Sequence, residues 1–232
     1  MDEQVLVFDL DDTLYLERDF AASGFKAVGA WLSAHAGVDG FAAQCEAAFS
    51  AGHRGRVFDE ALAAMGVAFD PALVAKLVAV YRGHAPTIAL AADARVYLER
   101  PRTSRRAIIT DGPAATQRAK VQALGLETLV DFVIFTDSWG REFWKPHARA
   151  FETIETWAEV GPANLVYIAD NPVKDFVTPR QRGWHTVMVA REGRVHDMPA
   201  PDVAHQAAAR ITEFAELDDA LRSLNAGKAL SG

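Results

Sequence analysis

Among its 232 residues the chain has a single cysteine, Cys45. That excludes an internal disulfide framework and fits a reducing compartment. In its alanine-rich setting Cys45 reads as a small apolar residue on a helix, not as a reactive thiol. Long basic runs are also missing. The net charge is -7 with both signs interspersed, which disfavours a nucleic-acid partner. No uncharged apolar run is long enough to span a bilayer, so no membrane partner is expected. The opening Met1-Asp2-Glu3 lacks the positive and apolar regions of a secretory signal, and the location read from this is cytoplasmic. His35, His84, His147, His185, His196 and His205 show no zinc-ligand spacing. There is no internal repeat and no signal for oligomeric state.

What is present is apolar residue in quantity. Half the chain is hydrophobic, enough for one sizeable core or a core with a smaller insert. A strand is expected over Gln4–Asp9. From Glu17 to about His84 the pattern is helical: Phe25, Val28 and Leu32 recur at helical spacing, as do Leu73, Leu77 and Val80. Gly37, Gly52, Gly55 and Gly66 divide this stretch into about four helices, and Asp70-Pro71 is a helix start. Beyond Ala91 strands and helices alternate. Strands are expected over 106–110, 132–135, 165–169 and 185–189, and helices over 113–124, 146–159 and 173–182. A last helix carries Phe214, Leu217 and Leu221. This alternation predicts an α/β fold, a Rossmann-like doubly wound parallel sheet interrupted after its first strand by an all-helical insert. The expected division is 1–16 with 88–225 for the core, 17–87 for the insert, and a disordered tail over 226–232.

The stretch "VLVFDLDDTLY" (5–15) ends an apolar strand with Asp9, Asp11 and Asp12. Two like charges about 4 Å apart repel by roughly 1 kcal/mol in water and roughly 4 kcal/mol at an effective dielectric of about 20. A divalent cation is the first candidate to offset that repulsion. Three further polar groups stand at strand exits: Thr110-Asp111-Gly112, Lys145 before a helix, and Asp170 with Asp175. Each alone is an ordinary turn or cap. Ligand sites of open parallel sheets lie beyond the carboxyl ends of the strands, so the four groups are expected to converge.

Asp9-Leu10-Asp11-Asp12-Thr13, then Thr110, Lys145-Pro146 and Asp170…Asp175 in that order, resembles the haloacid dehalogenase-like (HAD) hydrolase superfamily, phosphatase branch. The segment "ITDGPAATQRAKVQALGL" resembles the strand-and-helix unit around that family's second motif. The resemblance implies a Rossmann-like core, a helical C1 cap, Mg²⁺ and an aspartyl-phosphate intermediate. Asp9 is then the nucleophile and a metal ligand. Asp11 is the general acid/base, with its backbone carbonyl on the metal. Thr110 donates to a phosphoryl oxygen, Lys145 neutralises charge, and Asp170 completes the protein's metal shell. Asp175 either binds the metal through water or orients Lys145; Thr13 and Asn171 are supporting residues. Asp111 and Gly112 are expected to bind substrate. Two features depart from the family pattern: Ala169 stands where glycine is usual, and the loop "DSWGREFWKP" is longer.

Asp11 separates branches within the superfamily. A dehalogenase releases halide, needs no acid for an alkoxide, and lacks this aspartate by family pattern. The expected activity is Mg²⁺-dependent hydrolysis of a small phosphorylated substrate, a sugar or polyol phosphate first. The alternatives are a nucleoside 5′-monophosphatase, a phosphomutase, or a non-catalytic binding protein on the same fold. In the insert, "AGHRGRVFDEAL" presents His53, Arg54 and Arg56 as candidate substrate contacts, or as a solvated interhelical turn. The cap is expected to close over the site.

Overall fold

The computed structural model describes residues 4–229; Met1-Asp2-Glu3, on which the reading of the amino terminus rested, and residues 230–232 lie outside them. Six strands form one parallel sheet: β1 (Val5–Phe8), β2 (Arg105–Thr110), β3 (Phe132–Phe135), β4 (Leu165–Ala169), β5 (His185–Val189) and β6 (Ala209–Ile211). Their order is β3-β2-β1-β4-β5-β6. All five pairings are parallel, so the central strands are covered on both faces. That explains why they read as continuous apolar runs: every residue of β1 and β4 is buried.

The chain divides into two units. One carries the sheet and comprises the chain to Glu17 and from Ala89 on; the other is Arg18–Ile88. Each junction falls one residue later than 17–87. The helical unit consists of α1 (Glu17–Ala36), α2 (Phe41–Ser50), α3 (Val57–Ala64) and α4 (Pro71–Gly83). Its core gathers Phe25, Leu32, Phe41, Cys45, Leu62 and Leu77. The Asp70 carboxylate accepts from the Leu73 N–H at 2.8 Å and caps α4, with Pro71 at its first position. Cys45 is fully buried, and burial pushes its thiol up to about 12, so it is inert.

In the sheet unit α5 (Ala92–Glu99), α6 (Ala114–Ala123), α7 (Arg149–Ala158), α8 (Val177–Gln181) and α9 (Leu217–Ala229) complete the chain. Phe151, Ile154 and Ala158 of α7 pack with Val5, Val7, Ile109 and Tyr167 on one face of the sheet.

Five differences from the sequence reading stand out, and the first two have local causes. Helix α7 starts at Arg149, because Lys145 and Pro146 form a turn whose backbone is held by Asp111 (Lys145 N–H, 3.1 Å). Helix α8 starts at Val177, because Asn171 Oδ1 accepts from Val173 N–H (3.0 Å) and Asp175 Oδ2 from Asn171 N–H (3.1 Å). Those side-chain bonds hold a turn where a helix was expected. Helix α5 and strand β6, each short and weakly patterned, were not anticipated. Residues 226–229, read as the start of a disordered tail, continue α9 instead.

Candidate functional site

Register brings the strand exits together. Phe8 lies level with Ile108 and with Ile168, so Asp9, Thr110 and Asp170 all leave the sheet within two residues of one level. The Asp9 N–H continues the ladder to the Ile168 carbonyl at 2.8 Å, fixing the backbone from which its carboxylate projects.

Lys145 is buried at the centre of one group. Its Nζ lies 2.5 Å from Asp9 Oδ1, 2.9 Å from Asp175 Oδ1 and 2.9 Å from the Tyr167 hydroxyl. Asp9, Asp170 and Asp175 each offer a carboxylate oxygen, these atoms lie within 4.8 Å of one another, and all three residues are buried. Burial pushes Asp9 up to about 6 against the pull of Lys145, with Asp175 adding to the rise. Asp170 goes well above the usual carboxylate range through burial first, then Asp9 and Asp175. Burial works against the Lys145 ammonium, but Asp175, Asp9 and Asp111 hold its pKa well above the ordinary lysine value. Negative charge is in excess here, and Asp170 Oδ2 is buried without a hydrogen-bond partner among the described residues. Buried, hard oxygen donors in excess, one of them unpaired, fit a divalent cation such as Mg²⁺.

Asp11 sits in a second, differently built group. Its Oδ1 accepts from Lys120 Nζ at 2.6 Å and from the Tyr15 hydroxyl, and its Oδ2 accepts from Gln117 Nε2 at 2.8 Å. Burial opposes ionisation, yet Lys120, followed by the bonds from Tyr15 and Gln117, holds the Asp11 carboxyl below its ordinary value. Burial and Asp11 keep the Tyr15 phenol protonated, its pKa well above the ordinary value. The buried Thr110 hydroxyl oxygen accepts from the same Gln117 Nε2 at 2.5 Å.

The remaining candidates take varied places. The Asp111 carboxylate is engaged by Thr136 Oγ1 (2.7 Å) and Lys145 N–H (3.1 Å), with Lys174 Nζ at 3.5 Å, so it braces the loop. Gly112 has φ +109°, a conformation that glycine takes without steric cost. Thr13 is buried and its carbonyl accepts from Arg191 Nε at 2.8 Å. Asn171 shapes the turn that presents Asp175. Asp12 is structural: at φ +54° it accepts from the N–H of Glu17 (2.8 Å) and of Val195 (2.6 Å). In the long loop the Trp144 indole donates to Asp137 (3.1 Å) and the Arg149 guanidinium lies over Trp139 and Phe143 (4.7 and 4.6 Å); its aromatics brace the loop.

His53, Arg54 and Arg56 lie in the helical unit between α2 and α3 and are exposed. Arg54 is engaged locally, donating to the Phe49 carbonyl at 2.6 Å and stacking over that ring at 3.9 Å. Sequence reasoning missed Gln117, Lys120, Tyr15, Tyr167 and Lys174. The buried Gln117 and Lys120 lie three apart on one helix, a signal visible as a polar pair on a face that ought to be apolar.

Comparison with known proteins bears on the family and the fold. A family model described as haloacid dehalogenase-like hydrolase matches residues 3–183. A glyceraldehyde 3-phosphate phosphatase from Methanocaldococcus jannaschii is 25% identical over 237 residues, covering 94% of this chain and 97% of that protein. Among solved structures, the HAD-hydrolase YfnB from Bacillus subtilis, bound to magnesium, is similar with TM-score 0.70 and 18% identity, over 95% of this chain and 99% of that one. A 2-haloacid dehalogenase from Pseudomonas syringae is similar with TM-score 0.64 and 21% identity, over the same shares. No helix among the described residues is long and apolar enough to cross a membrane.

Proposed function

The chain belongs to the haloacid dehalogenase-like hydrolase family, and from that premise we propose that it is a Mg²⁺-dependent phosphatase of a small sugar or polyol phosphate. The observation that carries this reading is the excess of buried carboxylate around Lys145, with Asp170 Oδ2 unpaired. A halide-releasing enzyme has no use for that excess, whereas a phosphatase with a divalent cation does. The relative from M. jannaschii, named for a triose phosphate, supports a sugar phosphate as the substrate class.

Asp9, Asp170 and the carbonyl of Asp11 would hold Mg²⁺, with Asp175 beside them. When bound, the ion neutralises the phosphoryl oxygens and shields the approach of a carboxylate to an anion. Asp9 attacks phosphorus through its free carboxylate oxygen, and the ester bond to the leaving alkoxide breaks as the aspartyl-phosphate forms. Lys145, pinned by Asp175 and Tyr167, stabilises the charge shared by Asp9 and the phosphoryl group. Thr110 donates its hydroxyl to a phosphoryl oxygen, and the backbone N–H groups of Asp111 and Gly112 extend that cradle. Asp11, once it carries a proton, gives it to the alkoxide, then takes a proton from the water that hydrolyses the intermediate; Lys120, Tyr15 and Gln117 favour its ionised form, which is the form the second step needs. Positioning and fixed charge supply most of the acceleration. In the helical unit we assign substrate contact to His53 and Arg56, since Arg54 is engaged by Phe49.

The test is phosphate release from sugar phosphates, polyol phosphates and nucleotides, with Mg²⁺ and with EDTA. Metal-dependent release from sugar or polyol phosphates is expected. Release confined to nucleotides, or an isomerised product without phosphate release, would replace the reading. No turnover of any kind would leave a binding protein.

A further inference from the structure

Helix α6 turns a polar face inward. Gln117 is 1% exposed and Lys120 is 4% exposed, although lysine is almost never buried unless paired. Both reach the same residue, and each takes one oxygen of Asp11: Lys120 on Oδ1, Gln117 on Oδ2. With the Tyr15 hydroxyl also on Oδ1, no rotation of the Asp11 carboxylate is possible without breaking a bond.

The Gln117 contact has a second consequence. Gln117 turns its NH₂ toward Asp11, with Nε2 2.8 Å from Oδ2. The same nitrogen lies 2.5 Å from Thr110 Oγ1, and its second hydrogen goes there. Thr110 is thereby an acceptor from Gln117, and its own hydroxyl hydrogen is left to donate elsewhere. One amide fixes both the place of Asp11 and the direction in which Thr110 donates.

We propose that Gln117 and Lys120 are positioning residues for the phosphoryl-transfer reaction, Lys120 by locking the carboxylate of Asp11 and Gln117 by also directing the Thr110 hydroxyl toward the phosphoryl oxygen. The proposal rests on the phosphatase reading. Each acts through the side chain it holds, Lys120 through Asp11 and Gln117 through Asp11 and Thr110.

The two roles have different kinetic signatures. A misplaced acid hurts esters of poorly leaving alkoxides far more than p-nitrophenyl phosphate, whose phenolate leaves without a proton. A misdirected Thr110 hydroxyl hurts both, because every substrate carries the same phosphoryl group. The experiment compares kcat/KM, which reports transfer to Asp9, for glycerol phosphate and p-nitrophenyl phosphate in full-length protein with Mg²⁺. Lys120→Met is expected to lower the glycerol phosphate value about 100-fold and the p-nitrophenyl phosphate value less than about tenfold. Lys120→Arg should recover most of the loss. Gln117→Glu, of the same shape, makes the Thr110 hydroxyl donate inward and should lower both values at least about tenfold. If Lys120→Met does not fold, Lys120→Gln carries the same comparison. Equal losses on the two esters, or none, would overturn the role of Lys120, and wild-type values for Gln117→Glu would overturn that of Gln117. Wild-type protein that cleaves neither ester would overturn the phosphatase reading, and this inference with it; wild-type turnover with unmoved variants overturns the inference alone.

Discussion

Two buried lysines face aspartates in this site, and their surroundings are opposite. Lys145 meets Asp9 and Asp175, with the unpaired Asp170 beside them, and the carboxyls of Asp9 and Asp170 are pushed upward by burial. Lys120 meets Asp11, with Gln117 and Tyr15 adding donors, and that carboxyl is held down. The first group carries more negative charge than its lysine balances, and so invites a cation. In the second, both oxygens of the Asp11 carboxylate have donors, while burial and then Asp11 push the neighbouring Glu17 carboxyl up to about 7. The contrast separates a group short of positive charge, as the proposed metal site would be, from one whose carboxylate is held from both oxygens, as the proposed acid/base would be.

The largest expected effect falls on the first group. Asp9→Asn should lower phosphate release by about 10⁴-fold or more while the protein stays folded, since the change removes a carboxylate whose ionised form burial penalises. Phosphate assays with a melting curve would check both halves, and near-wild-type turnover would remove Asp9 as nucleophile. Lys145→Met leaves two buried carboxylates without their cation and should cost about 3–5 kcal/mol in metal-free urea unfolding. Lys120→Met should cost less, because Asp11 keeps two other donors. Equal costs would erase the contrast between the groups.

Metal provides the next test. Saturating Mg²⁺ at about 100 times Kd should stabilise the wild type by about 2.7 kcal/mol, and Asp170→Asn should weaken that response severalfold. An unchanged response would remove Asp170 from the shell. The pH dependence has a definite sign. Asp9 is raised from 3.8 to about 6 in the folded protein, so its contribution to stability is full below about pH 4 and is lost as pH rises to about 6. Metal-free wild type should therefore lose melting temperature relative to Asp9→Asn over that interval, and Mg²⁺ should flatten the difference. A wild type that gained melting temperature relative to Asp9→Asn as pH rose would reverse the assigned shift. The smallest effect belongs to the helical unit: Arg56→Ala should raise KM about tenfold without moving the melting temperature. An unchanged KM would make that segment a solvated turn.

The strands of the sheet were legible because parallel, doubly covered strands must be apolar throughout; β3, β4 and β5 match their expected bounds. Asp9 and Asp170 directly follow such runs and Thr110 ends one, so their places could be read from the runs, whereas Lys145 lies at the far end of the long loop after β3. Asp12 was not separable from Asp9 and Asp11 by composition. Only its left-handed backbone and its bonds to Glu17 and Val195 show that it holds two loops. Helices α7 and α8 start late because Asp111, Asn171 and Asp175 bond to backbone N–H groups, a competition that hydrophobic spacing does not register.

What the sequence determined by itself is the kind of chain and the place of five of the strands described, since burial on both faces and helical periodicity are local properties written in neighbouring residues. Tertiary structure decided which charges meet. Lys145 and Asp9 are 136 positions apart, and Lys120 and Asp11 are 109 apart. No periodicity spans such distances. Their pairing follows from the parallel register of β1 with β2 and β4 and from the inward face of α6, and charge acts only over the few ångströms that this packing sets.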